Sequence, residues 1–346
     1  MNAPMRHQSE GLDLSAPYLL FLGDVEHPSY AKTAYGLADW APDLCVGEWS
    51  IGEGAVSTGL TQMNPAQARA NGAKSLVIGV ANSGGVLPDA WIDALIETLD
   101  AGLDIVSGLH RPLSSIPALT EAAERGGSRL VDVRVPPKDI PVGTGQKRSG
   151  KRLLTVGTDC ALGKKYTALA IARGLKGRGI DAEFRATGQT GIMIAGSGMP
   201  IDAVVADFVS GAAELLSPSS APDHVDVIEG QGSLFHPSYA AVSLGLLHGS
   251  QPDRFVVCHR PDRKKILGNE SFELPSIKKV IETTIAMGRL TNPDISCAGI
   301  ALNTASMDED TAEKEMASLA ARLQFPVADP IRGGERFERL LDACID

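Results

Sequence analysis

Eleven consecutive residues constrain this chain more than any other stretch: Gly157-Thr158-Asp159-Cys160-Ala161-Leu162-Gly163-Lys164-Lys165-Tyr166-Thr167. An apolar strand candidate, Arg152–Val156, precedes them, and a helix-periodic segment, Lys164–Arg178, follows. In a glycine-rich turn of this kind backbone N–H groups close around phosphate oxygens. The opening helix adds partial positive charge, and a lysine reaches the bound group. The order strand, glycine turn, helix is the setting in which such a turn binds phosphate. The plain alternative is a tight strand–helix turn whose lysines cap a solvated face.

One position departs from the usual pattern. A Ser or Thr normally follows the Gly-Lys pair and ligates Mg²⁺ through its hydroxyl. Here that residue is Lys165, whose ammonium repels a cation, and Thr167 lies elsewhere on the helix. The loop therefore keeps its anion-binding parts and loses its metal ligand, so no metal is expected. A phosphate-bearing ligand that is held but not hydrolysed fits this set, and coenzyme A, with its pyrophosphate and 3′-phosphate, is one.

The rest of the chain has the same rhythm. Strand candidates in the first third are Tyr18–Gly23, Leu44–Val46, Ser75–Val80, Asp104–Ser107 and Arg129–Val133, with helix starts at Asn64-Pro65 and Leu87-Pro88. Later strands are read at Ala182–Ala186, Val225–Glu229, Arg254–Cys258 and Ala298–Leu302, and helices at Ala203–Leu216, Ser276–Arg289 and Asp310–Leu323. Strand–helix alternation predicts parallel βαβ units. The Pro-, Gly- and Lys/Arg-rich segment 134–150 reads as a linker. The expectation is a Rossmann-like α/β domain over 1–133 and a P-loop NTPase-like α/β domain over 151–346. A length of 346 residues agrees with two domains.

Composition narrows the partners. A net charge of −10 with 5% aromatics lacks the cationic footprint of a nucleic-acid binder. Five scattered cysteines without a CxxC pair fit neither a disulfide framework nor a zinc site and point to the reducing cytoplasm. The N-terminal residues lack the apolar core of a signal peptide, and the apolar runs fall far short of the roughly 20 residues that span a bilayer. Thirty-seven glycines exceed the usual 7% or so, and many follow predicted strands.

Three of those turns carry candidate chemistry. Glu229-Gly230-Gln231-Gly232-Ser233 follows the apolar run Val225–Ile228, and His236 stands shortly after. Glu229 at a strand's C-terminal end suits a metal-water acid, a general base or a turn cap, and His236 an acid, a base or a satisfied loop residue. Arg185-Ala186-Thr187-Gly188-Gln189-Thr190-Gly191 presents a guanidinium, hydroxyls and an amide suited to a carboxylate or phosphate. In the first half, Asn82 and the pair His110-Arg111 follow strands and offer one wall of a cleft, or ordinary turns. The basic run Arg263-Lys264-Lys265 reads as surface.

Taken in order, LVIGVANSGGVLP, GLDIVSGLHRPL, GTDCALGKKYTALA, FRATGQTGIMIAG, DAVVADFVSGAAE and VIEGQGSLFHPSYAAVSLGLLHGSQPD resemble the DgcN-type D-amino-acid N-acetyltransferase family, P-loop proteins formerly of unknown function. The resemblance covers essentially the whole chain. It implies acetyl transfer from acetyl-coenzyme A to D-glutamate or a related D-amino acid, in D-glutamate catabolism coupled to an enolase-superfamily enzyme. A cytoplasmic homo-oligomer is expected. More distantly, GTDxxxGK and EGxG are similar to dethiobiotin synthetase.

On this reading Gly157, Thr158, Asp159, Cys160, Gly163, Lys164, Lys165, Tyr166 and Thr167 hold coenzyme A, and Glu229 or His236 takes the ammonium proton. Arg185 or Arg111 pairs with substrate carboxylates, with Asn82, His110, Thr187, Gln189, Thr190 and Gln231 completing the substrate site. Backbone N–H groups of 188–191 or 230–232 face the oxyanion. The rival readings are an ATP- and Mg-dependent ligase or kinase, against which Lys165 weighs, and a non-catalytic nucleotide-binding module.

Overall fold

The computed structural model describes residues 12, 14–80 and 87–346, so the expected role of Asn82 lies outside the described residues. It divides into two compact units, one of Met1–Pro136 with Gln189–Pro200, the other of Pro137–Gly188 with Ile201–Asp346.

The N-terminal unit is built on five parallel strands: β1 (Tyr18–Gly23), β2 (Cys45–Ser50), β3 (Ser75–Ile78), β4 (Asp104–Ser107) and β5 (Leu130–Asp132), in the order β2-β1-β3-β4-β5. The central strands are buried throughout, which is why they read as unbroken apolar runs rather than alternating ones. Helices α1 (Lys32–Trp40), α2 (Pro65–Ala70), α3 (Ile92–Asp100) and α4 (Pro117–Gly126) connect them. Local chemistry sets their ends. Asn64 and Gln67 close a capping box ahead of Pro65, and Gly127, at φ +64°, ends α4 in a conformation that disfavours other residues.

The C-terminal unit holds six parallel strands: β6 (Lys151–Gly157), β7 (Ala182–Arg185), β8 (Val225–Ile228), β9 (Arg254–His259), β12 (Ser296–Leu302) and β13 (Val327–Ala328). A small antiparallel hairpin, β10 (Lys265–Ile266) with β11 (Asn269–Glu273), follows β9. The sheet order β13-β12-β9-β6-β8-β7 places β6 centrally, with β7 and β8 on one side and β9 on the other. The chain thus changes direction of winding at β6, and open α/β sheets bind ligands outside the carboxyl ends of their strands at such a switch.

Between these strands run α5 (Lys164–Gly177), α7 (Val209–Leu216), α8 (Ala240–Ser250), α9 (Ile277–Gly288), α10 (Glu309–Leu323) and α11 (Gly334–Ile345). The remaining helix, α6 (Gln189–Ala195), groups with the N-terminal unit, where Thr190 Oγ1 lies 3.0 Å from Thr33 Oγ1 of α1. No described helix is long and apolar enough to cross a membrane.

Residues 137–150, most of the segment read as a linker, pack within the C-terminal unit. Glu214 of α7 accepts hydrogen bonds from the N–H groups of Thr144 and Gly145, each at 2.9 Å, and Arg148 donates to the carbonyls of Ser217 and Gly249. A Cβ on Gly211 would stand 1.8 Å from the Pro141 carbonyl oxygen, so only glycine admits the segment this close to α7. Prolines and glycines here serve a close approach and not looseness, a distinction that composition does not carry.

Candidate active site

The phosphate-type loop leaves β6 at Gly157. Ala161 (φ +51°) and Gly163 (φ +106°) take the left-handed conformation, bending the chain sharply into α5. Among the described residues no side chain caps α5, and no acid occupies its first turn, so its opening N–H groups and dipole keep their pull on an anion. Lys164 is buried, and its Nζ donates to the Asp159 carbonyl at 2.8 Å. Burial holds its pKa below the ordinary lysine value, against the opposing pull of Cys160, Cys258, Asp159 and Glu229.

Residues after β9 brace the loop from the side. The fully buried Asp159 carboxylate accepts from Cys160 N (2.7 Å), Leu267 N (2.9 Å) and Arg263 Nη1 (3.0 Å), and Arg263 also donates to the Cys160 carbonyl. Arg263 therefore belongs to the loop's support and not to a solvated basic run. Thr158 Oγ1 lies 3.0 Å from His259 Nδ1, and burial pushes that imidazole down to about 4, so it is neutral at physiological pH. The Thr167 hydroxyl meets the Cys258 thiol at 3.4 Å, on the sheet side of α5. Lys165 Nζ lies 5.1 Å from the Tyr166 ring centroid.

Glu229 stands directly after β8, 5% exposed, between two glycine turns. Its Oε2 accepts from Thr187 N at 3.0 Å and Gly188 N at 3.1 Å, whereas no hydrogen bond among the described residues reaches Oε1. Burial raises its pKa above the usual carboxylate value. Lys165, the two N–H groups and Lys164 pull the other way without cancelling the rise. The neighbouring glycines are required by contact. A Cβ on Gly230 would overlap the Thr155 carbonyl oxygen at 1.6 Å and meet Lys164 Cδ at 3.1 Å, and one on Gly188 would meet Gln231 Nε2 at 2.8 Å. Thr155, a polar residue inside an apolar strand, accepts from Gly230 N at 2.9 Å and fixes the turn. Thr187 Oγ1 donates to the Glu229 carbonyl and accepts from Gln231 Nε2, tying both turns together.

His236 is buried with both ring nitrogens engaged: Nδ1 accepts from Ser238 N at 3.1 Å, and Nε2 faces the Leu267 carbonyl at 3.4 Å. Asp159, Cys160 and His236 offer ligand atoms within 4.8 Å of one another. Arg263 and Lys164 stand at the same corner and oppose a cation there.

The other candidates are placed differently. Arg185 is occupied by structure: its Nε meets Asp226 at 2.6 Å and its Nη2 meets Glu183 at 3.0 Å. Gln189 and Thr190 belong to the N-terminal unit, Gln189 against Gly108 and Thr190 against Thr33. In that unit His110 and Arg111 are exposed, and Arg111 Nε donates to Ser115 Oγ at 3.2 Å. The C-terminal unit thus brings together the loop, Glu229, Thr187, Gln231 and His236. Arg263, Thr155 and His259 join them; of these, Thr155 was visible as a polar break in an apolar run.

Known proteins agree with this architecture. Residues 141–341 match the P-loop domain, and residues 51–136 the Rossmann-like domain, of DUF1611, each described as a domain of unknown function. A protein from Pseudoalteromonas named D-glutamate N-acetyltransferase is 48% identical over 93% of this chain and 97% of its own length. One of the same name from Tritonibacter scottomollicae is 46% identical over 95% and 98%. The crystal structure of a DUF1611 family protein from Anabaena variabilis superposes with a TM-score of 0.83 at 32% identity, covering 95% of this chain and 99% of that one. The two sheets, the loop at the switch point and these matches have one reading: the chain belongs to the DUF1611 family, with its Rossmann-like N-terminal and P-loop C-terminal domains.

Proposed function

We propose that this protein is a D-glutamate N-acetyltransferase, moving the acetyl group of acetyl-coenzyme A to the amino group of D-glutamate. The two relatives that are nearly half identical over almost the whole chain support the reaction. The observation that carries its chemistry is Glu229, a buried carboxylate with a raised pKa and one oxygen that no hydrogen bond reaches among the described residues, seated between glycine turns.

Acetyl transfer requires a neutral amine, a hold on the thioester oxyanion and a proton for the departing thiolate. Glu229 Oε1 takes the ammonium proton; its raised pKa brings the carboxylate nearer the operating pH of a general base. The freed amine attacks the thioester carbonyl and the new C–N bond forms as the C–S bond breaks; the proton held by Glu229 passes to the leaving sulfur, and the second proton of the acylated nitrogen leaves through the vacated Glu229 carboxylate to solvent. N–H groups of the Gly230–Gly232 turn stabilise the developing oxyanion. His236, with both ring nitrogens engaged by Ser238 and Leu267, stands at the Asp159 corner. The absence of a hydroxyl at Lys165 suits a reaction in which no phosphate is cleaved. Coupling to an enolase-superfamily enzyme, a cytoplasmic site of action and a homo-oligomeric state complete the proposal.

The test mixes the protein with acetyl-coenzyme A and D-glutamate and follows free thiol and N-acetyl-D-glutamate. Stoichiometric appearance of both is the expected result. Thiol release at the rate of thioester hydrolysis alone, with no acetylated product, contradicts the proposal.

A further inference from the structure

Behind the turn that follows Glu229 lies a cavity of about 20 Å³, walled entirely by the C-terminal unit. Gly157 of the phosphate-type loop and Gly230–Gly232 line it, so it joins the start of the loop to the residue after the base. Leu154 of β6, Leu246 of α8 and Val280 of α9 make most of the remaining wall apolar. A space of roughly 10–15 Å³ already holds a water, so this one takes a single water- or methyl-sized group.

The chemistry of the wall chooses between the two. A buried water needs about two to four polar partners. Three of the hydroxyls along the wall already have theirs. Thr155 Oγ1 accepts from Gly230 N, Ser233 Oγ accepts from Phe235 N, and Ser243 Oγ donates to the carbonyls of Gln231 and Tyr239. The fourth is Thr284 in the middle of α9, fully buried, whose Oγ1 meets no hydrogen-bond partner among the described residues. A threonine inside a helix ordinarily returns its hydroxyl to the carbonyl four residues back, as Thr98 of α3 does to Ala94 at 2.9 Å. An orphaned buried hydroxyl is a cost to the fold that a valine of the same shape would avoid. An apolar space of methyl size beside one unpaired donor is the complement of an acetyl group, whose methyl and oxygen share one carbon.

We propose that this cavity is the acyl subsite: it takes the acetyl methyl, the Thr284 hydroxyl donates to the acetyl oxygen, and longer acyl chains are shut out. The assignment rests on the acetyl-transfer reading above and deepens it, placing the choice of acyl donor on the walls supplied by α8 and α9.

Kinetics with acetyl- and propionyl-coenzyme A test it. In the wild type kcat/KM for the propionyl donor is expected to be lower by about tenfold or more; comparable values overturn the assignment. V280A enlarges the cavity and is expected to bring the two donors within about threefold; a gap as wide as in the wild type overturns it. T284V keeps the shape and removes the donor. Its kcat is expected to fall by about fivefold or more while its melting temperature holds or rises. An unchanged kcat, or a lowered melting temperature that marks the hydroxyl as structural, overturns it. Calorimetric titration of the wild type with the two donors needs neither turnover nor a variant. Acetyl-coenzyme A is expected to bind about fivefold more tightly or better; equal affinity, or binding of neither, overturns the assignment. If no N-acetyl-D-glutamate forms, the reaction fails, while this titration still decides the fate of the cavity.

Discussion

Strand β8 carries buried carboxylates near both ends, Asp226 inside it and Glu229 just beyond, and the protein treats them in opposite ways. Asp226 is 1% exposed and surrounded: Arg185 Nε at 2.6 Å, Ser217 Oγ at 2.6 Å and His224 Nε2 at 3.1 Å. Ser217 in turn accepts from the buried Arg152. Glu229 is almost as buried, but among the described residues it receives bonds on a single oxygen, from two backbone N–H groups, and no guanidinium pairs with it. A saturated carboxylate contributes to the fold and is chemically silent. A buried carboxylate with an open oxygen and a raised pKa costs stability and is available to a proton.

The largest effect that would break this contrast is kinetic. E229Q keeps the acceptor oxygen for Thr187 and Gly188 but cannot take a proton. The expected loss in kcat is about 10²–10⁴-fold, the range of general-base catalysis, measured by thiol release. The next effect is thermodynamic and lies at the other end. D226A leaves Arg185 and His224 facing a buried gap and is expected to destabilise by about 3–5 kcal/mol in denaturant unfolding. Comparable stability losses from E229Q and D226A would erase the distinction.

A third effect sharpens it through pH. Because the folded pKa of Glu229 lies above its unfolded value, its contribution is fully present below the ordinary glutamate pKa and is lost as pH rises through the folded one. E229Q should thus match the wild type in melting temperature at acid pH and exceed it at pH 8, the gap opening upward from the usual carboxylate range. A gap that closes with rising pH would mean that Glu229 is held as a stabilising anion.

The smallest effects come from glycines. G230A drives a Cβ into the Thr155 carbonyl and is expected to cost about 1–3 kcal/mol as well as activity. G177A, at the open end of α5 with nothing within 4 Å, is expected to stabilise by about 0.4–1 kcal/mol and leave kcat unchanged.

The sheets were readable in advance because parallel strands buried on both faces carry apolar runs: Tyr18–Gly23 and Asp104–Ser107 have the same limits in sequence and in structure. The loop at Gly157–Thr167 and the acid at Glu229 were visible because their residue types sit directly after such strands. What escaped depends on long-range partners. Arg185 looked like a substrate ligand, yet its guanidinium meets Asp226, 41 positions away. Arg263 looked like surface charge, yet it supports Asp159, 104 positions away. Helix α6 lies early in the second half of the chain but groups with the first unit, and hydrophobic periodicity carries no information about which sheet a helix joins.

The central claim is that Glu229 is the base, and the pH dependence of kcat/KM for D-glutamate tests it most directly, since that profile reports the groups of the free enzyme. The wild type should lose activity on the acid side with an apparent pKa above the ordinary glutamate value of 4.5, and the residual activity of E229Q should lack that limb. An acid limb that persists unchanged in E229Q, or a wild-type profile that breaks at the ordinary value, would contradict the account.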